Sequence, residues 1–238
     1  MPNSTAPMTL IPIGGLCNRL RAMLSVAESG RDVDVLWHAN SECAACWEEL
    51  FAPVPFAGLH IKPCPLRHRP GLWRLRLNKY LHLAQVYSGL PLREYDTTLV
   101  QRITPLPSLM QRIDALCQGF TPHTIGLHIR RTDNQQSIAV STDEAFRRRI
   151  DTLIAADPEA TFFLATDDDE LRRELVRAYA PRITCQDIPA ERHTLQGMQA
   201  AVVDLWTLAR TGRIIGSHWS SFSSTAAEIG GIPFEVCK

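Results

Sequence analysis

The sequence predicts an α/β protein with two Rossmann-like lobes, each built on parallel strands. Two observations carry that expectation. Short apolar runs alternate with helix-period stripes through most of the 238 residues, with brief connections between them. Polar residues gather just past the ends of those runs, where open α/β sheets bind their ligands.

Met8-Thr9-Leu10-Ile11-Pro12-Ile13 reads as a short buried strand that Pro12 brings to an end. Gly14-Gly15 breaks the chain. A helix follows from about Asn18, because Leu20, Met23, Leu24 and Ala27 fall at i, i+3, i+4 and i+7. Gly30 stops it, and Val33 to Trp37 is the second strand, completing a β-α-β opening unit. Residues 39 to 118 carry many prolines and a Leu/Arg stretch around Trp73-Arg74-Leu75-Arg76-Leu77, with a helix over Leu106 to Cys117. The boundary between the lobes is expected at Gly119 to His123, giving lobes 1–118 and 119–238.

The second lobe reads more regularly. Strands are expected at Thr124 to Ile129, Ala160 to Ala165, Ile183 to Cys185, Arg213 to Gly216 and Ile232 to Val236. Between them, Ser141-Thr142-Asp143-Glu144 fits a capping box opening a helix with Phe146, Ile150, Leu153 and Ile154 on one stripe. Further helices cover Asp169 to Tyr179, Leu195 to Ala209 and Phe222 to Ile229. Such alternation is the pattern of a doubly wound sheet.

Composition narrows the function classes. Hydrophobic residues at 45% and charged residues at 21% exclude a disordered, collagenous or coiled-coil chain. No apolar run approaches the roughly 20 residues of a membrane-spanning helix. The start, Met1 to Pro7, has neither the basic nor the apolar stretch of a signal peptide, so a soluble, cytoplasmic protein is expected. Zero net charge argues against a general nucleic-acid binder, despite the Arg67-His68-Arg69 and Arg74/Arg76 cluster beside Trp73. Seven cysteines, an odd number, argue against a disulfide scaffold. Cys43-Ala44-Ala45-Cys46 has zinc-knuckle spacing, with Cys64, His60 and His68 downstream. It lacks a second close pair, so buried reduced thiols are the expectation and no metal is called for.

Four segments at strand ends carry the candidate chemistry. Gly14 and Gly15 let backbone approach a ligand at a helix amino terminus, with Asn18 and Arg19 in the first turn. An anion bound there would offset the helix dipole's disfavour for Arg19 and Arg21. In Thr124 to Asp133, His128 and Arg130 share a face at the strand's exit, where Arg130 can fork onto a phosphate and Asp133 can orient it. The alternative is an Arg131–Asp133 surface pair with a core histidine at His128. Asp167, Asp168 and Asp169 stabilise a helix start, contact a ribose or base, or hold a metal as D-x-D. Finally, Gly216 to Ala226 is a hydroxyl-rich strand-to-helix turn suited to a phosphate, without the G-x-S-x-G of a hydrolase elbow.

Taken in order, Gly14-Gly15-Leu16-Cys17-Asn18-Arg19, His128-Ile129-Arg130-Arg131-Thr132-Asp133, Ala165-Thr166-Asp167-Asp168 and Ser220-Ser221-Phe222-Ser223-Ser224 resemble the motifs of the fucosyltransferase superfamily. This group contains the α1,2-, α1,6- and protein O-fucosyltransferases. The H-x-R-R-T-D string is most similar to the α1,6 branch, which includes the nodulation enzymes. The resemblance implies a GT-B-like fold, a reduced first lobe on the acceptor side, and GDP-fucose bound in a cleft between lobes without a metal or other cofactor. It implies that Arg130 contacts the β-phosphate, with His128 and Arg131 beside it, and that Asp167 or Asp168 lies near the nucleoside. Ser220, Ser221, Ser223, Ser224 and Thr225 would help hold the diphosphate, and Gly14, Gly15, Asn18 and Arg19 would face the donor from the first lobe. The acceptor would be a glycan or peptide hydroxyl.

Transfer from a nucleotide sugar needs the departing diphosphate stabilised and the acceptor hydroxyl deprotonated. Arg130 and helix amino termini suit the first task, at about 3–4 kcal/mol per fixed donor. Asp133 is a candidate for the second. Two other readings stay open: a non-catalytic GDP-sugar-binding protein, and a metal-dependent phosphohydrolase using Asp167 to Asp169.

Overall fold

The structure, a computed structural model, describes residues 8–62, 85–132 and 135–238. The cluster around Arg67 and Trp73, together with Cys64, His68 and Asp133, falls outside the described residues. The chain divides into two compact units. One is Met1–Thr104 with Arg192–Met198, and the other is Pro105–Glu191 with Gln199–Lys238. The division therefore falls at Thr104–Pro105, ahead of the Gly119 to His123 expected from sequence. Pro107 opens helix α2 (Pro107–Cys117) within the second unit, where its fixed φ suits the first helical turn.

The first unit holds a parallel sheet of β1 (Met8–Pro12), β2 (Val33–Leu36), β3 (Leu59–Lys62) and β4 (Gln85–Ser88), in the order β3-β2-β1-β4. Helix α1 (Leu16–Ala27) joins β1 to β2 and buries Leu20, Met23 and Leu24. Leu10, Val33, Val35 and Trp37 complete this core.

The second unit holds five strands, all parallel: β5 (Thr124–Ile129), β6 (Thr161–Thr166), β7 (Ile183–Thr184), β8 (Ile214–Gly216) and β9 (Phe234–Val236). Their order is β7-β6-β5-β8-β9. Helices α3 (Gln135–Val140), α4 (Asp143–Ala156), α5 (Asp169–Tyr179), α6 (Leu195–Leu208) and α7 (Ser221–Gly230) connect them. From β5 the chain winds outward through β6 to β7, then returns past β5 to β8. The direction of winding thus reverses between β5 and β8, the place where doubly wound sheets leave a crevice for ligands. Every residue of β5 is buried, as a central parallel strand requires. Ile125, Leu127 and Ile129 pack with Phe162 and Leu164 of β6 and with Phe146 and Ile150 of α4.

The capping box expected over Ser141 to Glu144 gives way to a simple cap one residue later, because N3 is then Ala145, which has no side-chain oxygen to complete a box. Thr142 is the cap, its side chain accepting from Ala145 N, while Ser141 turns inward to accept from His218 N and donate to Cys237 O. Among the described residues no helix is long and apolar enough to cross a membrane.

Candidate functional site

The carboxyl ends of β5, β6 and β8 converge on one polar cluster. β5 and β8 pair with His128 opposite Gly216, so the residues following each strand lie side by side. Ser217 N donates to His128 O at 3.0 Å, and Arg130 N donates to Ser217 Oγ at 3.0 Å. The backbone of Arg130 is thereby fixed against β8. Its side chain is half-buried, and its charge helps depress the neighbouring imidazole.

His128 is the pivot of the cluster. Its Nδ1 lies 2.7 Å from Ser223 Oγ and 3.4 Å from Ser220 Oγ, and its ring stacks on Phe222 at 4.7 Å. Burial pushes its pKa down to about 4; the Asp167 carboxylate opposes that shift and Arg130 adds to it. The imidazole is therefore neutral at pH 7, a hydrogen-bonding strut between β5 and α7. Gly216 makes the arrangement possible, since a Cβ there would sit 2.2 Å from Ser223 Oγ.

Helix α7 opens at Ser220, but the Ser220 side chain makes no cap hydrogen bond to the helix. It turns to His128 instead. The helix begins with no acidic residue in its first turn. Its amino terminus keeps the partial positive charge that the residue types at this position usually neutralise. Ser223 and Thr225 are buried, Ser221 and Ser224 partly so, and Ser224 Oγ donates to Ser221 O at 3.2 Å.

Several other expected site residues have structural roles. The Arg131–Asp133 pair weighed from sequence falls on Asp133, outside the described residues, but Arg131 itself turns inward. Its side chain is 8% exposed, Nε donates to Asp143 Oδ1 at 2.6 Å, and the guanidinium lies over the Phe146 ring. Asp167 accepts from Arg131 N at 2.7 Å and from Thr132 Oγ1 at 2.6 Å, clamping the loop that follows Arg130. Asp168 caps α5 by accepting from Glu170 N and Leu171 N, and Asp169 pairs with Arg172 at 3.0 Å. Each carboxylate of the D-x-D reading thus already serves the protein. Among the described residues no three His, Cys, Asp or Glu side chains are grouped to hold a metal ion. Cys43 is buried and Cys46 partly so, both as free thiols that burial pushes up in pKa.

In the first unit, Gly14 takes a left-handed φ of +82° between β1 and α1, with the Asn18 side chain packed against it. Gly15 is the α1 cap residue and supplies no side chain to the helix amino terminus. Arg19 points inward and is fully buried. It donates through Nε to Gly14 O at 2.7 Å, through one terminal nitrogen to His38 O, and through the other to Asn40 Oδ1 at 2.8 Å. Its guanidinium is wholly engaged in holding the glycine loop to the segment after β2.

Sequence reasoning places Ser217 only within a hydroxyl-rich turn and Ser141 and Asp143 only within a capping box, and misses that Ser217 and Ser141 fix the β8–α7 turn and that Asp143 holds Arg131. It also missed Asp204, buried on α6 with Oδ1 lacking a partner among the described residues. No local pattern distinguishes these residues, because each acquires its partner through the fold.

No family model matches the chain, and no curated protein is detectably similar to it in sequence. Solved structures do match. NodZ α-1,6-fucosyltransferase soaked with GDP-fucose aligns with a TM-score of 0.65 at 15% identity, covering 94% of this chain and 93% of that one. The fucosyltransferase NodZ from Bradyrhizobium aligns with a TM-score of 0.64 at 15% identity over 93% of this chain and 92% of that one. POFUT1 in complex with GDP-fucose aligns with a TM-score of 0.61 at 9% identity over 100% of this chain and 99% of that one. The chain has the fold of these fucosyltransferases. The α/β architecture expected from sequence is thus observed, down to two parallel sheets flanked by helices.

Proposed function

We propose that the protein is a GDP-fucose-dependent glycosyltransferase that acts by single, inverting displacement without a metal. One observation carries this reading. The amino terminus of α7 has no side-chain cap from Ser220 and stands at the winding reversal beside the strand end that presents Arg130. A diphosphate fits that combination, because helix N–H groups and a guanidinium both favour negative charge. The fold shared with proteins solved with GDP and GDP-fucose supports guanine nucleotide as the ligand.

In the reaction, the bond from the sugar's anomeric carbon to the β-phosphate oxygen breaks as a bond to the acceptor oxygen forms. The charge that builds on the departing diphosphate is met by Arg130 and the α7 amino terminus. His128 is neutral and holds α7 at its distance from Arg130, so these donors need no rearrangement as charge develops. The acceptor proton passes to a carboxylate, for which Asp133 is the candidate the sequence offers.

Calorimetric titration with GDP, GDP-fucose, UDP and ADP, with and without magnesium, tests the proposal. GDP and GDP-fucose are expected to bind without magnesium and more tightly than the other two. Equal binding of UDP and ADP, or binding only with magnesium, overturns it. Guanine-nucleotide binding with no sugar transfer to any saccharide or peptide acceptor favours a GDP-sugar-binding protein instead.

A further inference from the structure

Trp219 lies in the turn between β8 and α7, and nothing above makes use of it. Its backbone is left-handed, with φ +53°, and it is the one non-glycine residue with positive φ among the described residues. The residue is 70% exposed. Glycine or asparagine ordinarily fills such a turn, so a bulky aromatic there bears both backbone strain and an apolar surface left in water. Strained residues persist where the surroundings over-determine them, and such positions cluster at ligand sites.

The surroundings do fix this turn. Ser217 N donates to His128 O, His218 N donates to Ser141 Oγ at 2.9 Å, and Ser220 Oγ rests against His128. The indole is thus presented outward by an anchored turn. The His218 ring stacks on it with centroids 6.0 Å apart and planes 22° from parallel, which fixes its orientation.

Position then selects the ligand group. Trp219 immediately precedes Ser220, the residue that opens α7, and adjacent Cα atoms are about 3.8 Å apart. On the proposed reading the β-phosphate sits at that helix end and carries the transferred sugar, one residue from Trp219. The nucleoside lies at the opposite end of the diphosphate. We infer that Trp219 is the specificity platform for the transferred sugar, its indole stacking on the apolar face of a deoxyhexose. A hexose with a hydroxyl on that carbon would desolvate a polar group against the ring without a partner. This inference rests on the proposed GDP-sugar reading of the site.

The test is calorimetric titration of the full chain with GDP, GDP-fucose and GDP-L-galactose, the last differing from GDP-fucose only by a C6 hydroxyl. The variants are Trp219→Ala, Trp219→Phe and Trp219→Gly, each checked by thermal melting. Trp219→Ala is expected to weaken GDP-fucose about tenfold, the scale on which one small apolar group is discriminated in a pocket, with GDP affinity unchanged. The preference for GDP-fucose over GDP-L-galactose then collapses. Trp219→Phe keeps most of it, and Trp219→Gly, which relieves the backbone, behaves as Trp219→Ala. An equal loss for GDP and GDP-fucose places the indole on the base and overturns the inference, as does no change at all. Wild-type protein that binds no guanine nucleotide overturns the donor reading itself, a result distinct from both.

Discussion

His128 Nδ1 lies 2.7 Å from Ser223 Oγ, joining two buried side chains 95 residues apart in sequence. This contact ties the strand that presents Arg130 to the helix whose amino terminus stands beside it. Because the imidazole is buried and neutral, it has a second consequence, in the dependence of stability on pH. With a folded pKa of about 4 against 6.5 unfolded, His128 contributes stability that is present above pH 6.5 and lost as pH falls towards 4. The full amount is about 3 kcal/mol, at 1.36 kcal/mol per pKa unit.

Asp204 acts with the opposite sign. Burial raises its carboxyl to about 7 from 3.8, with Gln186, Arg112 and Arg172 opposing the shift. Its contribution is present below pH 3.8 and lost as pH rises towards 7. Between pH 4 and 6.5 the two slopes offset one another, and urea midpoints of the wild-type protein are expected to change little. His128→Asn should leave a stability that declines across that interval, and Asp204→Asn one that rises. Parallel profiles for the two variants contradict this account.

Arg130 and Arg131 are neighbours with different tasks. Arg131→Ala removes a buried guanidinium from Asp143 and Phe146 and is expected to cost about 2–4 kcal/mol, since breaking a buried pair strands its partner. Asp143 is partly exposed, which places the loss towards the lower end. Arg130→Ala should cost less than about 1 kcal/mol, as its side chain is only half-buried, yet abolish sugar transfer. Thermal melts and transfer assays on the two variants check both halves. A large stability loss in Arg130→Ala with normal transfer would falsify the division of labour.

Gly216→Ala tests the close approach of β8 to α7. The added Cβ would lie 2.2 Å from Ser223 Oγ and 2.6 Å from Ser223 Cβ, so strand and helix must separate. Overpacking of this kind costs about 1–3 kcal/mol. Adding Ser223→Gly in the same chain removes both atoms but also strips His128 Nδ1 of its hydroxyl partner and adds about 1 kcal/mol for a helical glycine, so the double variant should lose less than the sum of the two single substitutions. Fully additive losses in the double variant, measured by urea unfolding, would point to a different obstruction.

How much of this was legible beforehand follows from where each residue finds its partners. β5 announces itself through the alternation of Ile125, Leu127 and Ile129, and Asp169 to Tyr179 is readable as a helix because acids cluster at its start. β3 and β4 escaped notice. Each is four residues long and lies at an edge of its sheet, so burial imposes little pattern on it. The four polar segments were visible as strand ends, but the role of each side chain within them was not. Asp167 holds the loop 36 residues before it, and Arg131 finds Asp143 across a turn. Long-range partners leave no local periodicity to read.

Arg19 shows the same principle in the first unit, and supplies the last test. Its planar fork reaches Gly14 O, His38 O and Asn40 Oδ1 at once, from full burial. Burial also lowers its pKa, with Cys43 and Glu42 opposing, so the hydrogen bonds are what make the buried charge tolerable. Lysine retains the charge but not the fork, and its single ammonium cannot span three acceptors in these directions. Arg19→Lys is therefore expected to destabilise the protein by about 3 kcal/mol, the scale of a buried charge stripped of partners. Below its melting temperature the variant should bind GDP within about twofold of wild type, as expected of a side chain whose donors are all turned inward. Unfolding curves and GDP titration together decide the matter: a stable variant with lost GDP affinity would return Arg19 to the ligand site.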